Sequence, residues 1–184
     1  MSEKEKMLAG ELYDANYDKE LIKDRYEAKD ICFEYNNLKP SDFDGKDRII
    51  KKLFAKTGKQ IIVEQNFWCD YGYNIFVGEN FYMNHNCTIL DGAKVEFGDN
   101  VFVAPNCGFY TAGHPLDYET RNKGLEYAKP IKVGNNVWIG GNVVVLPGVT
   151  IGDNVVIGAG SVVNKDIPSN SMAVGIPCKV IKKI

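Results

Sequence analysis

The sequence predicts a β solenoid, a parallel β-helix built from six-residue units. Between Val133 and Val163 an aliphatic residue recurs at every sixth position, and the third residue after it is Asn or Gly. Asn and Gly tolerate positive φ, so each unit combines a short strand with a tight bend. Neither the helical period nor the alternation of an ordinary strand produces this pattern. Three such units make one triangular coil, and stacked coils make the solenoid.

The same register extends back to Val63. Its bend positions are Asn66, Gly72, Asn80, Asn86, Gly92, Asn100, Asn106, Asn136, Asn142, Gly148, Asn154, Gly160 and Asp166. Two-residue insertions at Ile75-Phe76 and Val95-Glu96 interrupt the early coils. We expect about five coils over residues 57–168.

Residues 1–56 are predicted to form a helical cap on this solenoid. Apolar residues recur with helical spacing in residues 6–13, in residues 21–37 and again after Pro40. Ser41 or Asp44 can cap the start of the third helix, and Gly58 suits its C-terminal end. The first coil of a solenoid exposes an apolar end, which such a cap would cover.

One loop, residues 110–131, is extruded from the solenoid and breaks the register. It carries Thr111-Ala-Gly-His114-Pro and Glu126-Tyr-Ala-Lys-Pro130. In repeat proteins the coils supply a rigid frame and insertions supply the chemistry, so we expect function here. After the solenoid, residues 169–184 form a basic C-terminal tail that folds back or extends as a final strand.

Composition argues against several classes of function. The 184 residues suit one folded unit, and a net charge of −2 without a basic cluster argues against a nucleic-acid partner. No apolar segment follows the polar N-terminus, and no apolar run reaches the about 18–20 residues that span a membrane. We therefore expect a cytoplasmic protein with no membrane partner. The five cysteines include no C-x-x-C pair, and we interpret Cys69, Cys87 and Cys107 as small core residues.

His114 is the candidate catalytic residue. Of the two histidines it alone lies in the extruded loop, between Gly113 and Pro115. An imidazole can take and return a proton near neutral pH. Its position alone is equally consistent with an ordinary exposed histidine, whereas His85 suits a turn or an interface. Two histidines cannot supply the three-histidine zinc site of β-helix carbonic anhydrases, so we expect no metal.

The motifs outside the repeat are more specific than the repeat itself. They are Leu8-Ala-Gly-Glu-Leu-Tyr13-Asp14, Cys69-Asp70-Tyr-Gly, Asn80-Phe-Tyr-Met-Asn84-His-Asn86, Thr111-Ala-Gly-His114-Pro, Glu126-Tyr-Ala-Lys-Pro, Asn136-Val-Trp-Ile-Gly and Gly175-Ile-Pro-Cys-Lys-Val-Ile. Over nearly the whole chain, the sequence resembles the maltose and galactoside O-acetyltransferases, which are hexapeptide-repeat acyltransferases. The resemblance implies a left-handed β-helix, a homotrimer with active sites between subunits, and transfer of acetyl from acetyl-CoA to a sugar hydroxyl.

The resemblance also implies roles in catalysis. His114 would be the general base that activates the acceptor hydroxyl and then returns the proton to the CoA thiolate. Asn84 matches the asparagine beside it, which holds the acceptor and the reacting groups. The backbone N–H of Gly141 matches the donor to the developing oxyanion. Both substrates would bind together, so no acyl-enzyme is required and no cysteine needs to act.

The acceptor contacts that carry over are Asp14 and Asp70, whose carboxylates suit sugar hydroxyls, and we add Glu126 of the loop. Asp14 can also be interpreted as a helix-end cap. The galactoside enzymes have serine at the place of Asp70 and present an aspartate where this chain has Gly92. These differences favour a maltose- or glucose-type acceptor over a galactoside.

The groove for CoA would lie between neighbouring solenoids. The matching residues are Trp138, Gly141, Ala159, Asn164 and Lys165, with Lys179 and Lys182 at the nucleotide phosphates. The galactoside enzyme has arginines at the last two places, and lysine would bind phosphate without the bidentate fork. Without the resemblance, Trp138 would be interpreted as a packing residue and the lysines as a solvated tail.

Two alternatives stay open. The chain could be a hexapeptide acetyltransferase for another acceptor, such as serine, a Nod-type oligosaccharide or an antibiotic. It could also be a non-catalytic trimeric scaffold that kept the fold, although a histidine in the extruded loop argues against this.

Overall fold

Four α-helices and nineteen β-strands make up the computed structural model of the chain, which describes residues 1–184. Most of the strands wind into three parallel sheets that form the faces of a triangular solenoid, and three helices close its N-terminal end. None of the helices has both the length and the apolar composition needed to cross a bilayer.

The three capping helices are α1 (Glu3–Ala9), α2 (Lys19–Asn36) and α3 (Phe43–Leu53). Helix α1 begins with a capping box between Ser2 and Glu5 and ends at Gly10, whose φ of 75° stops it before the expected residue 13. Helix α3 is capped by Asp42 and not by Ser41 or Asp44, because an Asp42 carboxylate oxygen accepts the Gly45 N–H at 2.9 Å. Its last residue is Leu53, so Gly58 is not its C-cap, contrary to expectation.

The solenoid strands stack face by face. The four-stranded sheet holds β4 (Ile75–Val77), β7 (Val95–Phe97), β12 (Ile131–Val133) and β15 (Thr150–Ile151). The seven-stranded sheet holds β2 (Ile61–Val63), β5 (Phe81–Met83), β8 (Val101–Val103), β13 (Val137–Ile139), β16 (Val155–Ile157), β18 (Ser171–Val174) and β19 (Lys179–Lys183). The five-stranded sheet holds β3 (Trp68–Cys69), β6 (Thr88–Leu90), β9 (Gly108–Tyr110), β14 (Val144–Val145) and β17 (Val162–Val163).

Four coils have a strand on all three faces, a first coil has β2 and β3 with a bridge at Lys56, and a sixth contributes Ile167 and β18. The C-terminal tail supplies the last two strands: β18 continues the parallel sheet beside β16, and β19 turns back antiparallel to β18.

Aliphatic residues fill the interior in register. One cluster of 36 buried residues joins the coils to Cys32 and Tyr35 of α2, so the cap and the solenoid share a single core. Cys69, Cys87 and Cys107 are buried free thiols in that core, as predicted.

The bends follow the predicted register with two exceptions. Positive φ occurs at every predicted Asn bend and at Gly72, Gly148 and Gly160. Gly92 and Asp166 were expected to share it but do not. Asp166 instead uses its carboxylate to accept the Thr150 N–H at 2.7 Å, and Gly92 lies in a corner with additional residues.

Those additional residues lie between strands, at 70–74 and 91–94, and not at Ile75-Phe76 and Val95-Glu96 as expected. Ile75 and Val95 belong to strands and are fully buried. Both widened turns connect the five-stranded sheet to the four-stranded sheet, and so does the extruded loop of the next coil. We call this edge of the prism the loop corner, comprising residues 70–74, 90–94, 110–130, 146–148 and 164–166.

The extruded loop is itself folded. It contains β10 (Ala112–Gly113), α4 (Tyr118–Arg121) and β11 (Leu125–Ala128). Strand β11 lies between β10 and β1 (Tyr13–Asp14) in a three-stranded antiparallel sheet. Strand β1, in the segment after α1, thereby connects the extruded loop to the N-terminal cap. The sequence did not indicate this connection.

Candidate active site

His114 follows β10, and its ring is fixed by the strand opposite. Its Nδ1 atom lies 3.0 Å from the carbonyl oxygen of Leu125 in β11. A carbonyl oxygen only accepts hydrogen bonds, so Nδ1 carries a hydrogen, and in the neutral ring the lone pair lies on Nε2. The side chain is 48% exposed. The ring therefore presents a basic nitrogen to the space outside the loop corner.

Glu126 places a carboxylate beside that nitrogen. Its Oε1 atom lies 3.8 Å from Nε2 of His114, too far for a hydrogen bond but close enough for charge attraction. Its Oε2 atom accepts the Tyr13 hydroxyl at 3.2 Å. Tyr13 is 1% exposed, and burial together with the charge of Glu126 raises its pKa well above the usual value. The phenol therefore stays protonated and remains a donor.

Asp70 lies at the same corner, directly after β3. Burial raises its pKa above the usual range, the cations Arg25 and Lys29 of α2 oppose that shift, and the charge of Glu126 adds to it. The two carboxylates thus share one partly enclosed region, and their role as acceptor contacts stays a prediction.

Asp91 is the important residue of this corner that sequence reasoning missed. It is fully buried, and its Oδ1 atom accepts the N–H groups of Asp70 at 3.0 Å and Tyr71 at 2.8 Å. Burial raises its pKa to about 7. The available signal was the eight-residue step from Ile89 to Phe97, because a widened turn has room to enclose a side chain.

Asp14 is used in a turn. One of its carboxylate oxygens accepts the N–H groups of Asn16 at 3.0 Å and Tyr17 at 2.9 Å. This is a turn before α2 and not the helix-end cap that was the alternative interpretation. Its other oxygen makes no hydrogen bond within the chain, so a role toward an acceptor stays a prediction.

Asn84 lies at a different edge of the prism. It follows β5, at the corner between the seven-stranded and five-stranded sheets, which we call the Asn84 corner (residues 84–86, 104–106, 140–142 and 158–160). Its side-chain oxygen accepts the His85 N–H at 2.7 Å. Within one chain the structure does not bring Asn84 to His114.

Gly141 and Ala159 stack above Asn84 at this second corner. A Cβ at Gly140 would lie 2.6 Å from the Ala159 nitrogen, so glycine lets the two coils approach. The backbone N–H groups of Gly141 and Ala159 donate no hydrogen bond within the chain, unlike those of their neighbours Gly140 and Gly160. They are two free donors on one edge.

The remaining predicted CoA residues fall in two places. Asn164 and Lys165 are exposed at the loop corner. Trp138 is 58% exposed on the outer face of the seven-stranded sheet, where the register connects it through Val156 and Met172 to Lys182. Lys179 pairs with Val174 and shares that outer face.

Comparisons with known proteins agree with this architecture. Residues 6–58 match the family model described as maltose acetyltransferase hexapeptide capping motif, and residues 130–165 match the bacterial transferase hexapeptide model of six repeats. The chain is 58% identical to the putative acetyltransferase YJL218W of Saccharomyces cerevisiae, over 98% of this chain and 92% of the relative. It is 56% identical to the putative acetyltransferase SAR2635 of Staphylococcus aureus, over 100% and 92%.

Solved structures extend the likeness to the whole chain. A maltose O-acetyltransferase from Clostridium difficile superposes with a TM-score of 0.98 at 58% identity, covering 100% of this chain and 98% of that one. A galactoside acetyltransferase in complex with coenzyme A gives 0.96 at 46% identity, covering 100% and 92%. The predicted left-handed hexapeptide β-helix is thus confirmed. The protein is an acetyltransferase and belongs to the maltose and galactoside O-acetyltransferase family.

Proposed function

We propose that this acetyltransferase transfers acetyl from acetyl-CoA to a hydroxyl of a sugar, with His114 as the general base. The observation that carries the proposal is the contact between Nδ1 of His114 and the Leu125 carbonyl, because it makes Nδ1 the donor and so places the lone pair of the neutral ring on Nε2 of an exposed side chain. A hydroxyl is a poor nucleophile near neutral pH and needs such a base within about 3 Å.

The reaction needs one proton to move twice. Nε2 takes the proton of the acceptor hydroxyl while the oxygen attacks the thioester carbon of acetyl-CoA. The C–S bond then breaks, and the imidazolium returns the proton to the departing thiolate. Both substrates are bound at once, so acetyl never resides on the protein, and the five buried cysteines take no part.

The negative charge on the thioester oxygen needs a fixed donor. The free N–H of Gly141 is suited to this, since it requires no bond to be broken before it donates. Asn84 lies at the same corner, where its amide can hold the acceptor or the thioester.

The site is shared between copies of the chain in this proposal. His114, Glu126 and Asp70 lie at the loop corner, whereas Asn84, Gly141 and Ala159 lie at the Asn84 corner, one sheet face away. Placing the loop corner of one copy against the Asn84 corner of the next brings both halves together. Because each copy has one corner of each kind, the contact is heterologous, and three copies close it into a homotrimer.

Acetyl-CoA would extend along the outer face of the seven-stranded sheet. From Trp138 to Lys182 is three strand spacings, about 14 Å. That path leads from the free N–H groups toward the lysines of β19, which suit phosphates. The relatives solved with coenzyme A and with acetyl-CoA support this choice of acyl donor.

A maltose- or glucose-type sugar is the acceptor we propose. Asp70 and Glu126 offer two carboxylates to sugar hydroxyls, and the similar Clostridium difficile protein is a maltose O-acetyltransferase. At Gly92, where the galactoside enzyme presents an aspartate, a Cβ would lie 2.9 Å from the Tyr13 hydroxyl oxygen. An acidic side chain there would require the Tyr13 phenol to shift.

Thiol release from acetyl-CoA tests the proposal. The parent is assayed with maltose, glucosides, galactosides, serine, an antibiotic and a chitin oligosaccharide, beside His114→Ala and the control His85→Ala. We expect release with maltose or a glucoside, loss of about a thousandfold in His114→Ala, and near-parent rates in His85→Ala. Equal rates in parent and His114→Ala contradict the general base. Turnover with serine or the antibiotic alone supports another acceptor, and no turnover with any of them supports a scaffold.

A further inference from the structure

We propose that Tyr13 is a positioning residue for acetyl transfer, and that through it the N-terminal cap holds the Glu126 carboxylate beside Nε2 of His114. The inference rests on the proposed function and adds a charge partner for the base. In this arrangement Glu126 stabilises the imidazolium that forms when His114 takes the acceptor's proton.

The first support is register. Tyr13 and Glu126 are directly opposite one another in the β1–β11 ladder, so their side chains leave the sheet on the same side. The Tyr13 hydroxyl donates to Oε2, which leaves Oε1 pointing toward His114. A carboxylate held by one oxygen cannot turn the other away without breaking that bond.

The second support is the packing of the phenol. Tyr13 belongs to a small buried cluster with Met7, Leu21, Tyr71 and Ala128, which joins the cap, the loop corner and the loop. A Cβ at Gly92 would lie 2.9 Å from the phenol oxygen, so glycine leaves the space that the hydroxyl needs. In this packed position the hydroxyl donates to Glu126.

The third support is the separation of 3.8 Å between Oε1 and Nε2. A direct hydrogen bond would place the carboxylate where the acceptor hydroxyl must bind. At this separation the lone pair of Nε2 stays open to the acceptor, and the carboxylate is close enough to stabilise the imidazolium that forms during the reaction.

Other charged groups lie around the pair. They are Asp70 of the loop corner, Asp14 of β1, Arg25 and Lys29 of α2, and Arg121 of α4, which donates to the carbonyls of Pro115 and Leu116. Asp70 adds negative charge near Glu126, and the cations of α2 act on Asp70 first. None of them reaches His114 Nε2 with a contact like that of Glu126.

The test uses the full-length protein and the variants Tyr13→Phe, Glu126→Gln and the double variant. The control is Tyr35→Phe, which also loses one buried tyrosine hydrogen bond, to the Val63 carbonyl, but far from the loop. Steady-state thiol release with acetyl-CoA and maltose gives kcat and the KM for acetyl-CoA of each variant.

We expect Glu126→Gln to lower kcat, because the carboxylate charge beside Nε2 of His114 is lost. Tyr13→Phe should lower kcat by a smaller amount, and add nothing in the Glu126→Gln background. With acetyl-CoA and maltose, kcat should fall about fivefold in Tyr13→Phe, with the KM for acetyl-CoA unchanged. Tyr35→Phe should change neither quantity.

Two results distinguish a failure of the positioning role from a failure of the proposed function. If Tyr13→Phe behaves like Tyr35→Phe while His114→Ala is inactive, the positioning role is wrong and the proposed function stands. If His114→Ala retains the parent rate, the proposed function is wrong whatever Tyr13 does. Equal, additive losses from Tyr13→Phe in both backgrounds would mean that the phenol acts on stability and not through Glu126.

Discussion

Asp91 holds the backbone of Asp70, because its buried Oδ1 atom accepts the Asp70 N–H at 3.0 Å across two successive coils. A polar side chain inside a solenoid normally costs stability, and here it replaces the regular ladder that a widened turn cannot make. Thr111 does the same one coil later: its hydroxyl donates to the Leu90 carbonyl and accepts the Ala93 N–H. The loop corner is therefore supported from inside.

The first prediction concerns Asp91 and pH. Its pKa in the folded state is raised to about 7 from an ordinary 3.8, so between these values the folded state binds a proton that the unfolded state releases. The contribution of Asp91 to the free energy of unfolding is then greatest below about pH 4 and falls as pH rises to about 7. Asp91→Asn keeps the Oδ1 acceptor but cannot ionise, so this part of the pH dependence should disappear.

Urea unfolding at about pH 5 and about pH 8 measures how the free energy of unfolding depends on pH. The parent should lose more stability between the two than Asp91→Asn does, and the matched surface variant Asp153→Asn should keep the parental slope. Identical slopes in parent and Asp91→Asn would show that the buried carboxyl does not titrate in this range.

The second prediction concerns Gly92. Its φ is not positive, so alanine meets no backbone strain, but the new methyl would lie 2.9 Å from the Tyr13 oxygen and 3.2 Å from the Ala128 Cβ. We expect Gly92→Ala to lower the free energy of unfolding by about 1–2 kcal/mol through overpacking. Adding Tyr13→Phe removes the hydroxyl oxygen that the new methyl group would contact too closely.

Thermal unfolding of the two single variants and the double variant checks this. The double variant should be more stable than the sum of the single effects predicts, by about 1 kcal/mol. If the effects of the two substitutions on the free energy of unfolding simply add, the methyl group does not contact the phenol.

The repeat could be predicted from the sequence because its physics is local. An aliphatic residue and a residue tolerant of positive φ, six apart, define strand and bend without knowledge of the rest of the chain. The exceptions at Gly92 and Asp166 arise where the coil length changes, and there side chains take over hydrogen bonds that the backbone makes elsewhere. Capping residues were harder to predict, since Ser41, Asp42 and Asp44 all have suitable side chains.

The loop corner could not be predicted in the same way. Strand β1 has only two residues and pairs with β11 more than a hundred residues away, so neither shows a period. The length of an insertion indicates that a segment leaves the solenoid. It does not indicate which part of the structure that segment packs against. Resemblance indicated His114, Asp70 and Asn84, yet only the stacking of coils shows that Asn84 and His114 lie on different edges of the prism.

The third prediction concerns the strand face that would hold acetyl-CoA. In β18, Met172 and Val174 face outward, whereas Ser171 and Ala173 are buried. Lys182 pairs with Met172 and Lys179 pairs with Val174, so both lysines share the outer face with Trp138. We expect Trp138→Ala and Lys182→Ala each to raise the KM for acetyl-CoA about threefold to tenfold, with the KM for maltose little changed.

Lys183→Ala is the matched control, because Lys183 pairs with the buried Ser171 and lies on the other side of β19. The effect of Lys182→Ala should weaken as salt is added, as expected for a phosphate contact. An equal effect from both lysine variants would mean that only net charge matters, and would remove the assignment of a phosphate site to Lys182.

The fourth prediction concerns the shared site. If each site takes His114 from one copy and Asn84 from its neighbour, then chains with His114→Ala mixed with chains with Asn84→Ala rebuild intact sites. In a ring of three copies, every mixed trimer has one site with both parental residues. Random mixing in equal amounts makes about three quarters of trimers mixed, so activity should return to about a quarter of the parent.

The control mixes His114→Ala with Glu126→Ala. These two residues lie 3.8 Å apart on the same loop, so every site carries one defect or the other, and the activity of the mixture should not exceed the average of the two variants measured separately. Thiol release after co-refolding measures both mixtures, and light scattering gives the mass of the assembly. Recovery in both mixtures, or in neither, would contradict a site divided between the loop corner of one chain and the Asn84 corner of the next, because only that division makes the two pairs of variants behave differently.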